Sequence, residues 1–103
     1  KEISIFNPPS GYENIYQLYT IRLPSIELRN DLHNFLTTKQ IFSKVYFNPI
    51  HMTDFYRINF PSQVSLSMTE LISNQVLTIP LYPNMTNEEI IYILESFNEF
   101  FET

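Results

Sequence analysis

Residues 76–101 read VLTIPLYPNMTNEEIIYILESFNEFF, and the switch of hydrophobic period inside this stretch decides the fold. Its first part, VLTIPLYP over 76–83, is β-branched and apolar and is closed by two prolines, which predicts a strand. Pro80 cannot donate to a ladder, so this strand is expected at a sheet edge or at a bulge. Thr86 followed by Glu89 is a capping box, in which the threonine oxygen accepts a backbone N–H and the glutamate reaches back to the cap. The spacing then predicts a helix over 87–101 with Ile90, Ile93, Leu94, Phe97 and Phe101 on one stripe. Glu88 and Glu89 fall in its first turn, where the helix dipole favours negative charge.

Upstream, Ser67 and Glu70 form the same capping pattern and predict a short helix to about Asn74. The stretch 48–66 carries Pro49 and Pro61 and no sustained period, so it is expected to be a long loop. IFSKVYF over 41–47 alternates Ile41, Ser43, Val45 and Phe47 against Phe42, Lys44 and Tyr46, the pattern of a strand. Ser25 caps a helix whose Leu28, Leu32, Phe35 and Leu36 recur at helical spacing to about Lys39. NIYQLYTIR over 14–22 is β-branched and aromatic on both faces, as in an inner strand, and Pro24 ends it. Pro8, Pro9, Ser10 and Gly11 make residues 1–13 a lead-in and a turn. Strand, helix, strand, loop, short helix, strand, helix, with no repeat and no internal boundary, reads as one α+β domain, a two-layer sandwich.

Composition removes several function classes. With 103 residues there is room for one modest core, burying roughly two-thirds of the unfolded surface. Six basic against eleven acidic residues give a net charge of −5, which argues against a nucleic-acid partner that needs a basic stripe. The absence of cysteine removes disulfides, thiolate nucleophiles and cysteine zinc sites, and suits the cytoplasm. No apolar run is long enough to span a bilayer, and no secretory leader pattern is present. A single glycine, Gly11, leaves no glycine-rich loop to cradle a phosphate. Nine Phe and seven Tyr are more aromatic surface than a small core hides, so some of them are candidates for a docking face. Lys1 in place of an initiating methionine is the mark expected of a fragment.

Three stretches in order, YQLYTIRLP (16–24), VYFNPIH (45–51) and MTELISNQVLTIPLYPNMTNEEIIYILESF (68–97), resemble the end of the DegT/StrS-type sugar aminotransferases. In that family a Tyr-x-Ile-Arg strand precedes a helix opening Arg-Asp-x-Leu, here Arg29, Asn30, Asp31 and Leu32. A Val-His-Tyr-x-Pro-Leu-His loop follows, here Val45, Tyr46, Phe47, Asn48, Pro49, Ile50 and His51. The second histidine is kept, and Tyr46 replaces the first, which preserves a hydrogen-bonding tip and loses the titratable imidazole. The closing segments are matched by Thr69, Glu70, Ile72, Ser73, Val76, Leu77, Pro80, Tyr82 and Pro83, then by Thr86, Glu88, Glu89 and Ile90.

The resemblance implies the small carboxy-terminal domain of a fold-type I enzyme, a mostly antiparallel sheet with helices on one face. The parent transfers an amino group to a nucleotide-linked keto sugar, uses pyridoxal 5′-phosphate (PLP) held by a large domain absent from this chain, and forms homodimers. The chain itself is then expected to bind no cofactor and to be inert alone. His51, with Tyr46 and Asn48 of the same loop, is implied to bind on the substrate side, with a loop-packing histidine as the alternative. Lys39 and Lys44 read as surface charges rather than Schiff-base lysines. His33, or His51 with Asp54, is too thin a set for a metal. Asn84-Met85-Thr86 spells a glycosylation sequon, but Thr86 is better explained as a cap. Tyr16, Tyr19, Phe42, Phe47 and Phe55 are either core or a docking face for the large domain. Two other readings stand beside this one: a stand-alone binding or assembly module derived from the domain, and a fragment of a related PLP-dependent sugar dehydratase.

Overall fold

Strict alternation along two short segments builds the centre of the molecule, which a computed structural model describes over residues 3–61 and 65–103. Strand β2 (Tyr19–Arg22) pairs antiparallel with β3 (Val76–Ile79), with Tyr19 opposite Ile79 and Ile21 opposite Leu77. Because side chains alternate along a strand, these four share one face and enter the core. The other face is polar: the Thr20 and Thr78 hydroxyls lie 2.8 Å apart, and Arg22 Nε donates to Gln75 Oε1 at 2.8 Å. The lead-in supplies a further strand, β1 (Ser4–Ile5), antiparallel on the free edge of β2, so the sheet order is β1-β2-β3. The fold is thus α+β with an antiparallel sheet, as the sequence predicts.

Two predicted strands are shorter than expected. β2 begins only at Tyr19, because the Asn14 side chain accepts the Tyr16 N–H at 2.8 Å and turns the chain at Tyr16, whose φ is 50°. Over 41–47 the ladder shrinks to one bridge, Lys44 with Thr78, at 2.9 and 2.7 Å. The cause is the end of the preceding helix, α1 (Ile26–Thr38). Gln40 sits in the left-handed region at φ 59°, its N–H donates to Thr37 O, and the Ile41 N–H donates to Leu36 O. This is a Schellman motif, and Ile41 and Leu36 make its hydrophobic contact, both buried. Ile41 closes the helix and is not available to a ladder. β3 stops at Ile79, so Pro80 ends the strand rather than bulging it.

The helices fill the apolar side. Ser25 caps α1 by accepting the Leu28 N–H at 3.2 Å, and Leu32 and Leu36 are fully buried. The last helix, α4 (Asn87–Glu102), carries the predicted Thr86–Glu89 capping box. Its core-facing stripe is Ile93, Phe97, Phe100 and Phe101, whereas Ile90 and Leu94 are 41% and 58% exposed, against expectation. The rotation follows from docking on the end of α1. Phe100 meets Phe35 at 5.4 Å between ring centroids, Lys39 pairs with Glu99 at 2.6 Å, and the Tyr92 hydroxyl donates to Lys39 O. Ser96 is the buried residue of this helix, with its hydroxyl returned to Tyr92 O.

The predicted loop 48–66 also contains structure, a 3-10 turn at Ile50–Met52 and a short helix α2 (Asp54–Asn59); residues 62–64 lie outside the described residues. Helix α3 (Ser67–Ser73) starts one residue earlier than the sequence pattern predicts. Leu66 is its cap residue and Ser67 is already helical, so Glu70 falls one position too late for a capping box and instead accepts from Ser65 Oγ at 2.9 Å.

The accessible surface is 8010 Å², where a monomer of this mass is expected to expose about 6100 Å². The radius of gyration is 16.0 Å, where about 13 Å is expected for this length. Phe42, Phe47 and Phe55 are 73%, 70% and 63% exposed, and Tyr16 is exposed as well, whereas Tyr19 packs on the core. The aromatic residues that the sequence left undivided are therefore split between core and surface.

Two outcomes test this description. Gln40→Gly frees a side chain from the left-handed region while keeping the Schellman bonds, and is expected to raise stability by about 1 kcal/mol in a urea titration. At the other cap, the Thr86 backbone N–H holds the Glu89 carboxyl below its ordinary value of 4.5. A depressed carboxyl contributes stability above the unfolded value and loses it as pH falls through the folded one. Wild type is therefore expected to be more stable than Glu89→Gln at neutral pH, with the difference starting to fall near pH 4.5 and vanishing only below the lowered folded-state value. A pH-independent difference removes the ionised capping box.

Candidate functional site

Two polar side chains fix the wall on which the site is built. Arg29, although charged, is buried on α1, and its Nη1 donates to the carbonyls of Ser73 and Val76 at 3.2 Å each, tying the end of α3 to the start of β3. Burial lowers its pKa from the ordinary guanidinium value. Gln75, between α3 and β3, is bonded at every polar group. Its carboxamide accepts from Arg22 Nε and donates to Pro24 O, its N–H donates to Ile72 O, and its carbonyl accepts the Leu23 N–H. A buried polar residue so completely satisfied holds four segments in one arrangement.

Across from α3, Pro49 is buried and starts the 3-10 turn, with Met52 N–H on Pro49 O at 2.9 Å and Thr53 N–H on Ile50 O at 3.1 Å. Between this turn and α3 lies an open groove of about 700 Å³. The three residues named from the sequence, Tyr46, Asn48 and His51, all line it. Thr69, Ile72, Ser73 and Val76 form the opposite side, and Tyr56 of α2 and Leu66 complete it. The His51 ring is mostly buried, with its side chain 15% exposed. Its Nε2 is buried without a hydrogen-bond partner and lies 3.6 Å from Glu70 Oε1, beyond hydrogen-bond length. Tyr46 stacks on Phe47 with centroids 4.7 Å apart.

The lining is an apolar floor with hydroxyls, one carboxamide and one imidazole, and among the described residues it contains no lysine or arginine. Such a surface makes neutral hydrogen bonds and apolar or stacking contacts, and it supplies no cation to a phosphate. The other sequence candidates lie elsewhere. His33 Nδ1 is 2.7 Å from Ser43 Oγ in a separate pocket with Lys44, and Asp54 pairs with Arg57 rather than with His51. Among the described residues no cluster of metal-ligating side chains occurs. Lys39 is committed to Glu99, Lys44 lies over the Phe42 ring, and Gly11 sits in an isolated turn with φ 86°. Among the described residues the groove therefore has no amine for a Schiff base and no glycine-rich loop for the phosphate of PLP, and no step through that cofactor follows from these residues.

Sequence reading missed Arg29 and Gln75 as the parts that hold the groove, and Tyr56 and Thr69 as lining. Arg29 did carry a signal: it precedes Leu32 by three and Leu36 by seven, so it is a charge on the buried stripe of its own helix.

Residues 2–98 match the model of the DegT/DnrJ/EryC1/StrS aminotransferase family. Among curated proteins, the chain is 30% identical over 86 residues to a GDP-perosamine synthase of Escherichia coli O157:H7, covering 84% of this chain and 23% of that protein. It is 25% identical over 89 residues to a dTDP-3-amino-3,4,6-trideoxy-alpha-D-glucose transaminase of Streptomyces venezuelae, covering 85% and 23%. The crystal structure of S. venezuelae DesV in complex with a ketimine intermediate matches the whole chain with a TM-score of 0.86 at 22% identity, over 27% of its own length. NtdA of Bacillus subtilis with bound PMP matches 99% of the chain with a TM-score of 0.82 at 24% identity, over 23% of its own length. These structures share the fold, and the chain spans about a quarter of the length of the proteins it matches.

Arg29→Met keeps bulk and removes the charged donor from the two carbonyls. It is expected to destabilise the chain by about 2–3 kcal/mol and to speed hydrogen exchange in α3 more than in α4. Equal acceleration in both helices would show that Arg29 does not hold the groove wall in particular.

Proposed function

The chain belongs to the DegT/DnrJ/EryC1/StrS aminotransferase family, and on that premise we propose that it is the small carboxy-terminal domain of a PLP-dependent enzyme that aminates a nucleotide-linked keto sugar. The observation that carries this reading is the convergence of Tyr46, Asn48 and His51 on one groove whose described lining holds hydroxyls, a carboxamide and an imidazole but no lysine or arginine. A site of this kind orients a polyhydroxylated ring and leaves the bond-making groups to another part of the protein. The names of the relatives, a GDP-sugar synthase and a dTDP-sugar transaminase, support the substrate class.

In this reading PLP, bound by a large domain, supplies the electron sink for moving the amino group. The present chain binds and orients. The Tyr46 hydroxyl and the Asn48 carboxamide hydrogen-bond sugar hydroxyls, Pro49, Ile72 and Val76 pack on the carbon face of the ring, and His51 adds a titratable partner at the edge. With the α3–β3 wall held by Arg29 and Gln75 and the opposite wall by the 3-10 turn, these groups place the keto carbon for attack and keep water from it. Alone, the chain is catalytically inert.

The surface supports a larger assembly. The excess of roughly 1900 Å² over a compact monomer is more than one face of an interdomain contact, which shares about 600–1500 Å² between both partners. Exposed Phe42, Phe47 and Phe55 therefore serve the large domain and a second subunit of a homodimer. The same exposed surface favours the second reading, a non-catalytic module that takes a separate partner.

The test uses the longest natural protein that contains this chain, loaded with PLP and given glutamate and a nucleotide-linked keto sugar, with product mass as the readout. Amino-sugar formation is expected, with His51→Ala and Tyr46→Phe each raising KM about tenfold and the isolated chain giving no product. A source protein whose intact mass equals that of the 103-residue chain sinks the enzymatic reading and leaves the partner-binding module.

A further inference from the structure

The buried nitrogen of His51 faces an acid that the proposed reaction has not used. His51 Nε2 has no hydrogen-bond partner, and the nearest charged group is Glu70 Oε1 at 3.6 Å. The other oxygen of that carboxylate already accepts from Ser65 Oγ at 2.9 Å. Glu70 is thus held through one oxygen by Ser65, two residues before α3, and turned toward the imidazole with the other. A bare nitrogen lone pair pointing at a carboxylate is repulsive, whereas an N–H pointing at it is attractive, so Nε2 carries the proton. Nε2 is also fully buried, while the ring as a whole lines the groove. The one ring nitrogen able to meet a ligand there is Nδ1.

We propose that Glu70 is the positioning residue for His51, fixing the proton on Nε2 so that Nδ1 is the nitrogen that contacts the sugar. The assignment rests on the reading of the groove as a sugar site and adds which atom does the work. Carboxylates orient histidines in this way in many sites, and the spacing of such pairs shortens when the site is filled. Here a closure of well under 1 Å makes the Nε2–H···Oε1 bond. The other polar side chains in the lining are Tyr46, Asn48, Tyr56, Thr69 and Ser73, and among the described residues no basic side chain lines the groove to compete for Glu70. In the neutral ring Nδ1 accepts a hydrogen bond from a sugar hydroxyl, and in the protonated ring it donates one to the keto oxygen.

The test begins with nitrogen-15 spectra of the chain itself, without substrate or cofactor. The sequence has two histidines, so a His33→Gln variant assigns the second ring without ambiguity. The expected spectrum shows His51 with a slowly exchanging Nε2–H and an unprotonated Nδ1. Glu70→Met removes the acceptor and is expected to abolish the slow exchange, whereas Glu70→Gln keeps a carbonyl acceptor and is expected to restore it. A proton on Nδ1 in the wild type, or an Nε2–H equally protected in Glu70→Met, overturns the positioning role. If Glu70→Met does not fold, the wild-type tautomer and the Glu70→Gln spectrum still decide between these. In the longest natural protein, Glu70→Met is expected to raise KM for the keto sugar about tenfold with kcat nearly unchanged. An unmoved KM overturns the contact between Nδ1 and the sugar. The spectra need no activity, so a failure of the aminotransferase reading leaves the assignment of Glu70 separately testable.

Discussion

The arrangement depends on one neutral side chain with every polar group paired. Gln75 joins the turn before α1, the end of β2, the end of α3 and the start of β3, through two backbone and two side-chain hydrogen bonds. Each is worth only about 1 kcal/mol net, but leaving any of these buried groups unmatched costs more than the bond contributes. The asymmetry makes the node selective: a slip of α3 by one residue strands several groups together. Arg29 acts on the same junction from the helix side, so a small sheet and a short, uncapped helix are fixed relative to each other without a large apolar contact between them.

That division of labour explains the chemistry of the groove. Its back wall is held by α1 and the sheet through backbone carbonyls of Ile72, Ser73 and Val76, and its front wall is a turn begun by a buried proline, so neither wall relies on the polar side chains of the lining for its position. The lining is free to be uncharged and hydroxyl-rich. The charged residues around it are engaged elsewhere, Arg29 in carbonyls, Arg22 in Gln75 and Arg57 in Asp54. A groove built this way recognises shape and neutral hydrogen-bonding groups.

The legible parts of the fold were those specified by neighbours in sequence. α1 and α4 announce themselves through Ser25 and Thr86 and through residues three and four apart, and β3 through VLTI closed by Pro80. The misreadings have a common cause in competition between local signals. Ile41 suits a strand but is used to close α1, Ser67 suits a cap but lies inside α3, and Ile90 and Leu94 suit a core stripe but are turned outward by the contact of Phe100 with Phe35. The loop carrying Tyr46, Asn48 and His51 was found by likeness to a family pattern, since its composition alone says nothing of a groove. Gln75 was invisible because its side-chain partners, Arg22 and Pro24, lie 53 and 51 residues away.

The molecule also places its polar and apolar groups in an unusual relation. Arg29, Gln75, Thr78 and Ser43 are buried and hydrogen-bonded, while Phe42, Phe47, Phe55 and Ile58 stand in solvent. An isolated domain selected only for its own stability gains nothing from that exchange, because exposed apolar area forgoes about 25 cal/mol for each Å² left uncovered. The polar interior fixes geometry, and the apolar exterior supplies affinity for whatever is pressed against it. Both features fit one constraint of the proposed function: a groove that keeps its shape by itself and an apolar surface left for a partner to cover.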